Sequence, residues 1–445
     1  PTSYGDSPYQ SFSVHAGNPY FIDLEALEKE GYLKPAEYKD IVWGDDKGSV
    51  DYGKIYETIF KVLRTAHKRF RKKPEKAYSK FVVENKDWIY DYALFMSLKF
   101  ANKGKAWYEW DEPLKMYKPK AIKSARKEYA NDIDFWCFVQ YKYFQQWKKL
   151  KAYANEKGIE IIGDIPIYVA YDSVEVWSTP QYFSLDKEKK PVEVAGCPPD
   201  AFTADGQLWG NPLYNWEYIA RDKFRWWVER IKAASDTYDV VRIDHFRGFE
   251  SYYCIPYGAK NAKKGKWRKG PDMRLFKEVR KQLGDVKIIA EDLGFLTKHV
   301  VKMLNASGYP GMKVLEFGFD SDNTNGYLPH NFKTTNSICY TGTHDNETIL
   351  GWIKSCDEKT RSYCKDYLGV TKDEFVPWAM VRLCWSSVCD TAIAQMQDIL
   401  CLDDKARMNT PSTVGANWKW RLESFDKLDD TLAERLAKIT AVYGR

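Results

Sequence analysis

The sequence predicts an α/β fold of the (β/α)8 TIM-barrel type, carrying helical and loop insertions, on three observations. After residue 158, short apolar runs alternate with amphipathic helical stretches, which implies a parallel sheet. Several of these runs lead into an acid: Val240–Ile243 into Asp244, Val286–Ala290 into Glu291, and Ser337–Tyr340 toward Asp345. Acids at the C-terminal ends of strands mark the face at which such barrels carry their active sites.

Residues 1–24 are rich in turn formers and aromatics, as in Ser3-Tyr4-Gly5-Asp6-Ser7-Pro8-Tyr9, and read as an ordered loop. Residues 25–145 read as a mainly helical insertion within a single catalytic domain spanning 1–445. Its clearest helices are Ile55–Arg71 and Ile133–Leu150. In the second, Trp136, Val139, Tyr143 and Trp147 recur near helical spacing, the pattern of a core stripe. Gly158 is a natural helix stop. Ile159–Ile162 then reads as a strand leading into Gly163-Asp164, and 171–216, dense in Pro, Gly and aromatics, as a long loop insertion.

Helix Phe224–Ala234, strand Val240–Ile243, helix Met273–Leu283, strand Val286–Ala290 and helix Thr297–Asn305 follow. Strands Met312–Phe317 and Ser337–Tyr340, a helix-rich stretch Asp357–Met396 and a strand Asp398–Leu402 come next. A helix with Leu432, Leu436 and Ile439 on one face ends the chain. The barrel-like strands number six, whereas the barrel type has eight. A barrel short of two adjacent strands exposes edges.

Composition narrows the function. The net charge of +6 comes from 68 basic and 62 acidic residues, without the concentrated basic face that nucleic acid requires. The run Lys263-Lys264-Gly265-Lys266-Trp267-Arg268-Lys269 reads as a solvated loop. Nine scattered Cys with no C-x-x-C pair read as reduced thiols in a cytoplasm, and the six dispersed His form no zinc pattern. No apolar stretch is long enough to span a bilayer. The 16% aromatic content suits either a large core or faces for sugar stacking, and composition does not decide between them.

The three acids suit chemistry on a glycosidic bond, where one carboxylate attacks and another shuttles a proton. Arg242 and Asp244, two residues apart on a strand, share a face, so the guanidinium favours an ionised, nucleophilic Asp244. The same pair could also tie strands together. Glu291, at a strand end beside Asp292, has the setting of a general acid, and could otherwise cap the next helix. Asp345, after His344, could hold sugar hydroxyls, cap a helix or belong to a metal site.

Taken in order, these runs resemble the signature regions of the α-amylase clan. The flanking text is similar to 4-α-glucanotransferases, the amylomaltases or disproportionating enzymes of glycoside hydrolase family 77. The likeness rests on Ser3–Tyr9, Gly163–Val169, Gly206–Pro212, Arg242–Gly248, Glu291–Gly294, Gly342–Asn346 and Arg407–Pro411. General α-amylases usually carry Asn-His where Asp164-Ile165-Pro166-Ile167-Tyr168 stands here.

The resemblance implies a retaining transfer between maltooligosaccharides or other α-1,4-glucans, with Asp244 as nucleophile, Glu291 as acid/base and Asp345 as transition-state stabiliser. It implies substrate contacts at Arg242, His344 and Asp164, at Gln207 and Trp209 on the 171–216 loop, and at Tyr4, Asp6, Ser7 and Tyr9. No cofactor or metal is expected, and no nucleic-acid or membrane partner; the oligomeric state is not specified. In the family the Pro1–Tyr9 segment follows the second barrel strand, so the expectation is an N-terminally truncated barrel, a fragment of a longer enzyme. The competing functions are an α-glucan hydrolase, a non-catalytic glucan-binding relative, and an inactive fragment.

Overall fold

A computed structural model describes residues 1–199, 204–294 and 296–445; the side chain of Tyr4 lies outside the described part. Residues fall into two units: Pro1–Trp43, Tyr52–Ile288 and Phe295–Ser307 in the first, and Gly44–Asp51, Ile289–Gly294 and Gly308–Arg445 in the second.

Helices Tyr52–Phe70, Lys86–Ala101 and Ala130–Glu156 dominate the early part of the first unit. The stripe read from the sequence packs inward. Trp136 and Val139 are fully buried and Tyr143 nearly so, while the Trp147 indole N–H donates to the Thr237 carbonyl at 2.9 Å. The rings of Phe60, Phe100 and Trp136 meet with centroids 5.1 to 5.3 Å apart in edge-on contacts that aromatic quadrupoles favour. Trp107, Trp177 and Trp227 are also among the largest fully buried side chains, so much of the aromatic content is core. The fully buried Lys142 is matched by Glu30 at 2.8 Å and Glu75 at 2.6 Å, which offsets the cost of burying its charge. Gly158 takes φ +74° just past the long helix, the left-handed turn that favours glycine.

The strands are β1 (Ile162–Pro166), β2 (Glu193–Cys197), β3 (Gln207–Pro212), β4 (Val240–Asp244), β5 (Ser251–Pro256), β6 (Lys266–Lys269), β7 (Ile288–Ala290), β8 (Gly311–Val314), β9 (Ser337–Tyr340) and β10 (Thr391–Ile393). Six of them form two three-stranded sheets ordered β1-β4-β7 and β10-β9-β8, and a third sheet runs β3-β2-β5-β6. β1 pairs in parallel with β4, and β9 pairs in parallel with both β8 and β10. Beneath β9 the second unit packs Leu315, Phe319, Ile349, Trp352, Met380 and Cys384 into one apolar cluster. Leu432, Leu436 and Ile439 lie half-buried on one face of the last helix, Asp430–Val442.

Several elements differ from the sequence reading. The first parallel strand begins at Ile162, because the Ile161 N–H is taken by the Asp239 carboxylate at 2.8 Å. Residues 398–402 are not a strand: Met396–Ile399 forms a helical turn and Cys401 takes φ +54°, while the pairing strand is β10. β8 ends at Val314, and Leu315–Gly318 is a 3-10 turn. The 171–216 segment, of which 200–203 lie outside the described residues, contains helix Val174–Ser178 and antiparallel β2 and β3. The basic run supplies the edge strand β6, where Arg268 and Lys266 pair with Glu193 at 2.6 and 3.4 Å. Charged side chains on an edge discourage further strand pairing.

Candidate active site

In the first unit the β1–β4 register sets Asp164 opposite Arg242 and Pro166 opposite Asp244. Arg242 and Asp244 share one face because strand side chains alternate. One guanidinium nitrogen of Arg242, Nη1, therefore donates to Asp164 Oδ2 at 2.5 Å and to Asp244 Oδ1 at 3.2 Å. The Arg242 side chain is 9% exposed, against 29% and 28% for those of Asp164 and Asp244, so a buried cation holds two acids that still reach solvent.

The Tyr9 hydroxyl donates to the same Asp164 oxygen at 2.6 Å. Burial, then the charges of Asp164 and Asp244, push the Tyr9 pKa well above the ordinary phenol range, which keeps it a donor. Ser7 Oγ accepts the Tyr9 N–H at 3.2 Å and so shapes the turn that presents Tyr9. Asp6 lines a cavity of about 330 Å³ with Tyr20, Tyr52 and Tyr56. The Tyr4 side chain lies outside the described residues.

Directly after Asp244 the chain turns through His245 at φ +52°, a left-handed conformation that costs a non-glycine residue on the order of 1 kcal/mol. Desolvation, then the Arg247 charge, pushes the His245 pKa down to about 3, leaving a neutral imidazole at ordinary pH. Its ring meets Trp209 edge-on at 4.9 Å, and the Trp209 indole N–H donates to Gln207 Oε1 at 3.0 Å. Gln207 and Trp209 thus sit together on β3, two residues apart on one face, and not on a loop.

In the second unit Glu291 follows β7 and is 8% exposed, with Oε1 accepting the Leu293 N–H at 2.7 Å. It does not cap the following helix, which starts at Lys298 and takes Thr297 Oγ1 against the Val300 N–H. Asp292 is equally buried and accepts the Met312 N–H at 2.6 Å; burial raises its pKa. Burial, then the Asp292 and Glu291 charges, pushes the Tyr327 hydroxyl to about 12.

Asp345 stands on the turn after β9. Its Oδ1 accepts Asn409 Nδ2 at 2.6 Å, and its backbone carbonyl accepts Arg407 Nη2 at 2.8 Å. The His344 ring lies 5.4 Å from Trp418, with Nε2 3.6 Å from Asp345 Oδ2. The cap of the next helix is Thr348, whose side chain accepts the Gly351 N–H, so Asp345 is not a cap. Among the described residues no group of three or more His, Cys, Asp or Glu could hold a metal ion.

The structure therefore gathers Tyr9, Asp164, Arg242 and Asp244 into one cluster, and His344 and Asp345 into another with Asn409, Arg407 and Trp418. Sequence reasoning singled out the Arg407–Pro411 segment only as a likeness, and missed Trp418 and Tyr327. An aromatic residue far along the chain carries no local mark of its partner.

The family model described as 4-alpha-glucanotransferase, glycoside hydrolase family 77, matches residues 1–427. A 4-alpha-glucanotransferase of Clostridium butyricum is 47% identical over the whole chain and 91% of that relative. One from Streptococcus pneumoniae is 46% identical over the whole chain and 88% of its own length. Among solved structures, an amylomaltase from Streptococcus agalactiae in complex with acarbose matches with a TM-score of 0.97 at 41% identity, covering all of this chain and 90% of that one.

Proposed function

The chain belongs to the 4-alpha-glucanotransferases of glycoside hydrolase family 77, and from that premise we propose how its residues divide the reaction. The protein is an enzyme that transfers glucan segments. Asp244 attacks C1 of an α-1,4-linked donor while Glu291 gives its proton to the departing glycosidic oxygen. The C1–O4 bond breaks and a glucosyl ester of Asp244 forms. The Glu291 carboxylate then takes the proton from the 4-hydroxyl of an acceptor sugar. That oxygen attacks C1, the ester breaks, and a new α-1,4 bond restores the starting configuration. Asp345, with His344 and Arg242, holds the donor sugar as positive charge develops at C1.

The Arg242 guanidinium shared by Asp164 and Asp244 carries this assignment. A cation beside the nucleophile favours its ionised form, and the paired Asp164 with the Tyr9 hydroxyl keeps that cation in place. Trp209 and Gln207 on β3 suit the acceptor side, where an aromatic face covers the apolar side of a pyranose. Tyr4, Asp6 and Ser7 complete the proposed cleft loop. Acarbose in the Streptococcus agalactiae amylomaltase supports maltooligosaccharides and α-1,4-glucans as substrates.

The two three-stranded sheets with parallel pairing support a (β/α)8 barrel as the architecture, with 25–145 and 171–216 as insertions into it. Cys137, Cys254, Cys339, Cys356, Cys364, Cys384, Cys389 and Cys401 carry free thiols, which supports a reducing, cytoplasmic setting. No helix among the described residues is long and apolar enough to cross a membrane.

Glu291→Gln lowers kcat for transfer from maltotriose by roughly 10²–10⁴-fold, with maltooligosaccharide binding retained. Undiminished transfer would overturn the acid/base role. In a crystal structure with bound oligosaccharide, the Asp244 and Glu291 carboxyls are expected about 5–5.5 Å apart. A separation of about 6.5–9.5 Å would count against a covalent intermediate.

A further inference from the structure

We propose that Glu316 is a positioning residue for this reaction: its buried carboxyl fixes the Thr343–Asn346 turn, and through it the side chain of Asp345. The proposal rests on the reading of Asp345 as a donor-sugar contact.

Glu316 lies in the 3-10 turn after β8 and is 9% exposed. Its Oε1 accepts Asn346 Nδ2 at 3.0 Å. The orientation of that amide is dictated by its other end. Asn346 Oδ1 accepts the Thr343 backbone N–H at 2.9 Å, and an N–H can only donate, so Nδ2 must face Glu316. Asn346 Oδ1 also accepts the Thr343 hydroxyl at 2.9 Å, and Thr343 Oγ1 in turn accepts the Asp345 N–H at 3.3 Å. Three hydrogen-bonded links thus run from Glu316 to the backbone of Asp345.

The turn has little room to settle elsewhere. A Cβ on Gly342 would meet Gln395 Nε2 at 2.7 Å, Asn346 Cβ at 3.2 Å and Glu316 Oε2 at 3.5 Å. Glu316 Oε2 is buried and has no hydrogen-bond partner, a setting in which a full negative charge is costly. The charged groups that act on Glu316 are mostly acids. After burial itself, Glu347 and Asp398 raise its pKa, while Asn346 and the Arg407 cation lower it, for a result of about 8. At neutral pH the side chain is therefore mainly the neutral acid, and its carbonyl oxygen is an acceptor for Asn346. As pH rises through about 8, a buried charge appears behind the turn and its geometry is disturbed.

Glutamine copies the neutral acid in shape and keeps the acceptor, whereas leucine keeps the volume and leaves the Asn346 amide unpaired. Transfer from maltotriose, measured from pH 6 to 9.5, tests the idea. Glu316→Leu is expected to lower kcat about 10-fold with little change in KM, since one buried polar group loses its partner. Glu316→Gln is expected to restore that kcat and to remove the fall in kcat that the unaltered enzyme shows above pH 8. A fully active Glu316→Leu overturns the proposal, as does a Glu316→Gln enzyme with the same alkaline fall as the parent. Should Glu316→Leu not fold, the alkaline limb of Glu316→Gln decides alone. Asp345→Ala separates the two claims: undiminished activity overturns the reading of Asp345 and this proposal with it. An inactive Asp345→Ala beside a fully active Glu316→Leu overturns only the role of Glu316.

Discussion

Asp244 and Asp345 are held in place by opposite means. Asp244 ends a strand and accepts from Arg242, two residues earlier and 3.2 Å away, with Asp164 supplied by the adjoining strand. Asp345 stands on a turn, and its partners Asn409 and Arg407 come from more than sixty residues later in the chain. Beneath that turn lie Asp398 and Glu316, acids whose pKa values burial raises to about 6 and about 8. The first arrangement opposes two carboxylates with a cation. The second fixes a backbone shape with hydrogen bonds, the Arg407 guanidinium to the Asp345 carbonyl and the Asn409 amide to its carboxylate, over acids whose protonated forms burial favours. A nucleophile, the role proposed for Asp244, must stay ionised, so a buried cation suits it. A group that steadies a sugar, the role proposed for Asp345, needs mainly a fixed position, and hydrogen bonds to its backbone and side chain supply one.

The contrast is tested most severely at Arg242. Replacing it with leucine leaves Asp164 and Asp244 without their shared cation, a loss of about 3 kcal/mol and roughly a 100-fold fall in kcat. Arg242→Lys is expected to fall between, because an ammonium keeps the charge but not the guanidinium fork. Steady-state transfer from maltotriose measures both. If the leucine enzyme kept more than a third of the parent kcat, the cation would not be what readies Asp244.

At Asn409 the expected effect is smaller. Asn409→Ala removes a 2.6 Å hydrogen bond to an Asp345 side chain that is 43% exposed, so water can replace part of it. The loss is about 1.5 kcal/mol, roughly 10-fold in kcat. An effect equal to that of Arg242→Leu would mean that the two carboxylates depend on their partners alike, and the contrast would fail.

The same difference explains what could be read from the sequence. The Asp244 cluster was legible because alternation along a strand places Arg242 and Asp244 together whatever the rest of the fold does. Helix Met273–Leu283 was legible to the residue, since the chain breaks at Asp272 and Gly284 on either side. The Ile399-Leu400-Cys401-Leu402 run misled because its apolar character matches a strand. The decisive facts are distant: Asp398 is needed by Thr341 Oγ1 at 2.6 Å and by the Ile349 N–H at 2.8 Å, which a helical turn permits. The antiparallel sheet escaped notice for a related reason. β2 and β3 contain Gly196, Gly210 and Pro212, which read locally as turn formers, and β6 is charged at every position but Trp267. Their pairing is visible only once the chain has closed. Nothing near Asp345 announced Asn409 or Glu316 as its supports.

The smallest effect on turnover is expected at Asp398, whose contribution appears in stability against pH. Burial raises its pKa from about 3.8 to about 6, and the Thr341 and Ile349 donors oppose that shift only in part. Because the folded-state pKa lies above the unfolded one, the folded protein holds a proton between these values that the unfolded chain has released. Stability from this group is therefore full below about pH 4 and falls as pH rises to about 6, by at most about 3 kcal/mol, with no further loss above that. Asp398→Asn cannot ionise and can still accept the Ile349 N–H through Oδ1, so its stability lacks this slope. Other carboxylates that titrate in the same window do so in both proteins. The quantity to measure is therefore the difference in unfolding free energy between Asp398→Asn and its parent, from urea titrations at pH 4, 5 and 6. That difference should grow in favour of the asparagine variant as pH rises. A difference that stays flat across the window would mean that burial does not keep Asp398 protonated there, and that the Asp345 turn rests on a buried charge even between pH 4 and 6.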